Sequence, residues 1–166
     1  MLTLLVAVLL LWLVLLKGQN PIPGLPLRWA GLLAAALALL NNLVGHFFAP
    51  LGLLLTPTVV VNTTACIVTA RGSSSPVKVL VLTAIIIGHD IGLKLYAGGM
   101  HDNAGQGWMS AYLLMGLLPA YGGILFYVAT RTAEPLFWRV LSVLLLPLLL
   151  AGYCYFFGNL GLGRSY

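Results

Sequence analysis

VKVLVLTAIIIGHDIGLKLYA, residues 77–97, decides how this chain is read. At 1.5 Å of rise per residue, a helix over it is about 30 Å long, which matches the hydrocarbon core of a bilayer. The turn Gly72–Pro76 precedes it and Gly98-Gly99 ends it. Inside this apolar run stand His89, Asp90 and Lys94, groups that are expensive in hydrocarbon and therefore informative. Asp90 and Lys94 are spaced i, i+4, so they share a helix face and can form an ion pair that offsets their burial. Gly88 and Gly92 repeat at the same spacing and would let a neighbouring helix pack close.

The rest of the chain reads the same way. It has 166 residues, 61% hydrophobic and 7% charged, with a mean hydropathy of +1.05. A soluble domain is normally about a quarter charged, so this chain cannot clothe a water-facing surface. The expected class is an all-α, polytopic integral membrane protein, a single domain of about six transmembrane helices with short loops. The spans fall near residues 1–16, 28–48, 53–70, 77–97, 108–130 and 136–158. Pro21, Pro23, Gly24 and Pro26 break the first loop, and Pro50 and Gly52 stop the second span. The run Met1–Leu16 lacks a basic n-region and a small-x-small cleavage site, so it reads as a retained span.

The net charge of +5 does not indicate nucleic-acid binding, because the basic residues are scattered singly. They report orientation instead. Lys17 and Arg28, Arg71 and Lys78, and Arg131 and Arg139 fall in alternate loops, with Lys94 and the terminal Arg164 as exceptions. The positive-inside rule puts those loops in the cytoplasm and both termini outside, as in a bacterial inner membrane. Treating residues 53–70 as re-entrant would put basic residues on both sides, so a full crossing is expected. Trp29, Tyr127 and Trp138 fall at the inner boundary, and Phe47, Phe48, Tyr96, Trp108, Tyr112, Tyr153 and Tyr155 at the outer one.

Polar groups converge toward the outer leaflet. Measured from Lys78, Asp90 lies about 18 Å and Lys94 about 24 Å up; from Arg28, Asn42 lies about 21 Å and His46 about 27 Å up. Asn62 is about 13 Å from Arg71, near mid-depth, with Thr63 and Thr64 beside it. Thr58, Asn62, Cys66 and Thr69 form a polar or small stripe. His101 and Asp102 lie just beyond, in a loop whose glycines 98, 99, 105 and 107 would let it fold over the pocket.

Two functional classes follow. In the first, the chain is a transporter, or a transporter subunit, for an ion or small polar solute. Asn42, His46, Asn62, Asp90 and Lys94 would bind it, with Asp90 the charge-carrying site, Lys94 its counter-ion, and His46 and His89 its proton-sensitive partners. In the second, it is a membrane enzyme acting on a lipid or amphiphile at the outer face. His89, His101 and Asp102 would hold a divalent metal such as zinc, and Asp90 or Asp102 would be the base. A haem between His46 and His89, and a Ser110/His101/Asp102 set, have thinner support. A structural subunit, in a homo-oligomer or larger membrane complex, predicts instead a dry, fully hydrogen-bonded cluster. Cys66 and Cys154 differ too much in depth for a disulfide.

Overall fold

The computed structural model describes residues 5, 7–9, 12, 25–96 and 103–159. The described residues are all-α. Helix α1 is described at Leu5, Ala7, Val8, Leu9 and Trp12. It is followed by α2 (Leu27–Phe47), α3 (Ala49–Thr69), α4 (Ser75–Tyr96), α5 (Asn103–Thr130) and α6 (Leu136–Asn159). The last five are long and apolar enough to cross a membrane. The protein is thus a multi-pass membrane protein, and its apolar helix surfaces call for a lipid bilayer.

Small residues form its inward faces. In α2, Ala30, Ala34, Ala38, Asn41 and Gly45 are buried, while Leu32, Leu33, Leu39, Leu40 and Leu43 point outward. Lipid solvates leucine as well as protein does, so close backbone approach, not leucine burial, drives packing between such helices.

The sequence predicts a stop at Pro50–Gly52 and a third span from residue 53. The structure corrects this: only Phe48 separates α2 from α3, and Pro50 lies in the first turn of α3. Proline is harmless there because a first-turn N–H has no helical partner to lose. The Phe48 N–H donates to the Val44 carbonyl, and the Phe48 carbonyl accepts from the Leu51 and Gly52 N–H groups. The hairpin closes so tightly that a Cβ at Gly52 would collide with the Gly45 backbone. Residues 49–69 form one continuous helix despite Pro57, so no re-entrant break is seen.

Helix α4 is the hub, touching α2, α3, α5 and α6. Among the described residues, Arg28, Arg71, Lys78, Arg131 and Arg139 collect at one end of the bundle, and Lys94 lies toward the other. The Arg71 N–H donates to Leu25 O and the Leu27 N–H to Arg71 O, pinning the α3–α4 turn to the start of α2. There Glu134 Oε1 also accepts the Ser75 N–H, tying the α5–α6 loop to the start of α4.

A second correction concerns the loop before α5. The sequence predicts a polar loop through Gly107, but the helix already begins at Asn103. Gly105 and Gly107 therefore lie in the first turns of a helix rather than in a hinge loop. Gly98 and Gly99 lie outside the described residues.

Candidate functional site

Helix α4 carries His89 and Asp90 as neighbours, about 100° apart around its axis, so they face different helices. Their surroundings differ accordingly.

Asp90 forms the first cluster. Its Oδ2 accepts a hydrogen bond from Lys94 Nζ at 2.6 Å and another from the Tyr153 hydroxyl of α6 at 2.5 Å. Asp90 is 1% and Lys94 8% exposed, so the ion pair is out of contact with solvent and lipid alike. The ammonium also lies 5.5 Å from the centre of the Tyr153 ring, within cation–π range. The i, i+4 pair is the one the spacing predicts.

His89 forms the second cluster, toward the α2–α3 hairpin. The Asn41 side-chain amide donates from Nδ2 to the Gly52 carbonyl at 3.0 Å and sits 3.0 Å from His89 Nε2. Only an amide nitrogen can face that carbonyl, so the same Nδ2 donates to His89 Nε2, and His89 keeps its proton on Nδ1. The Thr56 hydroxyl, 3.5 Å from Asn41 Nδ2, donates to Gly52 O at 3.0 Å. His89 Nδ1, Asn41 Oδ1, Asn42 Oδ1 and Thr63 Oγ1 are buried with no hydrogen-bond partner among the described residues.

The remaining expected site residues fall as follows. The exposed His46 places its Nδ1 2.9 Å from the Tyr96 carbonyl, where it ends α4 rather than joining the Asp90 cluster. Asn42 lies against Gly92, where a Cβ would collide with its amide. Asn62 is half-buried and shares its face with Thr58, Cys66 and the exposed Thr69, whereas Thr56, Val60 and Thr64 face inward. The Thr64 hydroxyl is bonded to Val60 O, within its own helix. His101 and Asp102 lie outside the described residues. Among the described residues, no three His, Cys, Asp or Glu side chains gather as metal ligands. Cys66 and Cys154 are free thiols.

No family model matches this sequence, nor does any curated protein or solved structure.

Two tyrosines and a lysine have roles that the sequence reading misses. Tyr153 reads as an interfacial aromatic, but it shares a helical face with buried Ser142 and Leu146 and turns inward, while Tyr155 is exposed. Lys78 reads as a marker of the inner membrane edge, and the structure buries it, at 1% exposure. Its ammonium donates to the Val68 and Ala70 carbonyls at the end of α3 and to the Tyr127 hydroxyl at 3.0 Å. All three lysine donors are thus used, and the cation sits at the negative end of a helix dipole.

Proposed function

We propose that this protein is a membrane transporter, or the membrane subunit of one, that moves an ion or small polar solute through the Asp90 cluster. One observation carries the reading: a buried carboxylate held by a lysine on its own helix and a tyrosine on another. Ionisable groups inside a membrane bundle are costly and mark ion or proton routes. Protonating Asp90, or bringing a cation to it, removes its hold on Lys94 and Tyr153. The charge state of one carboxylate thereby controls the contact between α4 and α6.

The neighbouring His89 suits the same role. Its ring leaves Nδ1 buried and without a hydrogen-bond partner among the described residues, on the same turn of α4 as Asp90. A water or small solute that satisfied that nitrogen would lie beside the carboxylate-bearing turn of α4.

Orientation follows from the basic end. Arg71, Lys78, Arg131 and Arg139 lie with the first turn of α2 at one end, and we assign that end to the cytoplasm. His46 and the Asp90 cluster then lie toward the outer face, with both termini outside as well, as in a bacterial inner membrane.

The test is flux into liposomes containing a pH-sensitive dye, with imposed proton, sodium or potassium gradients. The variants are Asp90→Asn and the doubly neutral Asp90→Asn/Lys94→Gln, which leaves no unpaired charge buried. Both are expected to lose flux while remaining folded. Wild-type flux in either folded variant would overturn the reading.

A further inference from the structure

Among the described helices, α5 and α6 are joined by a short loop yet pack together far less extensively than the α2–α3 hairpin. Between them, toward the basic end, runs a groove of about 290 Å³. Its walls are Leu125 and Ala129 of α5 and Val140, Val143 and Leu144 of α6, and Arg139 lines it as well. Leu125, Val140 and Leu144 are exposed, so the groove opens sideways, toward the acyl chains of a surrounding bilayer.

Arg139 makes this more than a gap between helices. Its Nε donates to the Val128 carbonyl and its Nη2 to the Ala129 carbonyl, both at 3.1 Å, which fixes the guanidinium across the end of α5. Those bonds use two of the five N–H groups that an arginine carries, and the other three have no partner among the described residues. Arg131 stands in the loop joining the two helices, its guanidinium 4.9 Å from the Tyr127 ring centre. Trp138, beside Arg139, is exposed and has the side chain favoured at headgroup level.

An apolar channel open to lipid and ending at a fixed, partly unsatisfied guanidinium is complementary to one kind of molecule. We propose that the α5–α6 groove binds an anionic phospholipid, with an acyl chain along Leu125, Val140 and Leu144 and the phosphate on Arg139. Guanidinium pairs with phosphate through parallel N–H···O bonds, which favours arginine at this position over a point charge. The site is separate from the Asp90 cluster and does not depend on the transport reading.

Reconstitution into vesicles of equal parts phosphatidylglycerol and phosphatidylcholine, mild detergent extraction and native mass spectrometry test it. One phosphatidylglycerol is expected to stay bound to the wild-type chain, with about tenfold preference over phosphatidylcholine. Arg139→Gln should abolish the preference. Ala129→Phe fills the groove from an exposed position and leaves the arginine bonds in place, so it should lower retention of both lipids and carries the test if Arg139→Gln fails to fold. Equal retention of the two lipids by the wild type would overturn the proposal, as would unchanged phosphatidylglycerol retention in Ala129→Phe. Glycerol phosphate binding as well as the lipid would remove the groove from the site.

Discussion

The Tyr121 hydroxyl of α5 donates to the Val143 carbonyl of α6 at 3.1 Å, and Val143 is the residue whose carbonyl Pro147 leaves without a helical partner. Proline has no N–H to give to the carbonyl four residues earlier, and a bare carbonyl among apolar groups costs about 1–3 kcal/mol. The tyrosine therefore repairs α6 and fastens it to α5 in one bond. Tyr121→Phe should destabilise the protein by about 1 kcal/mol. In a Pro147→Ala background the same change should be nearly silent, because residue 147 then supplies its own N–H to Val143. Thermal unfolding of the four proteins in one detergent forms the double-mutant cycle that checks this, and additive effects would show that the bond does not do this repair.

The Asp90–Lys94 pair should be sensitive to halving. Lys94→Met leaves a buried carboxylate with only its tyrosine, and a loss of about 3–5 kcal/mol is expected. Adding Asp90→Asn should recover most of it, since no isolated charge then remains. Tyr153→Phe removes one hydrogen bond to the carboxylate and should cost about 1.5–3 kcal/mol. Denaturant titrations in mixed micelles distinguish these sizes.

Close packing of α4 on α2 depends on Gly92, because the Asn42 amide occupies the space that a Cβ would need. Gly92→Ala should cost about 1–3 kcal/mol through overpacking. Asn42→Ala should suppress that loss, since the obstructing atoms belong to a side chain. Gly52→Ala offers no such rescue, because its new methyl would strike the Gly45 backbone. Melting temperatures of the single and paired variants provide the comparison.

Lys78 should behave as a structural cation. Lys78→Met removes the donor for two α3 carbonyls and the Tyr127 hydroxyl, and about 3 kcal/mol or more should be lost. In the folded protein its amine should resist acylation, becoming reactive only on unfolding. Peptide mapping after labelling in native and denaturing detergent reads this directly. Ready labelling of the folded chain would contradict the buried placement.

Much of the fold is legible without coordinates because bilayer thickness converts directly into residue number. The helices from residues 27, 75 and 136 begin within a residue or two of where the apolar runs start. Errors come at proline and glycine, where one residue type serves two uses. Pro50 opens a helix instead of stopping one, and Gly105 and Gly107 continue a helix instead of hinging a loop. The site is less legible. The Asp90–Lys94 contact needs only a rise and a turn angle, whereas Tyr153, more than sixty residues away, joins it only through the packing of α6 on α4.

The sequence by itself determined that this chain lives in lipid, with apolar helices and a few ionisable groups held inside them. Those properties follow from composition and from spacing along a single helix. Only the tertiary structure decided how the polar residues divide. It set His89 against Asn41 on one side of α4, Asp90 against Tyr153 on another, and Lys78 under the end of α3. The physical reason is rotational: adjacent residues on a helix point about 100° apart. Which neighbour each one meets is set by the small-residue contacts that fix how the helices turn toward one another.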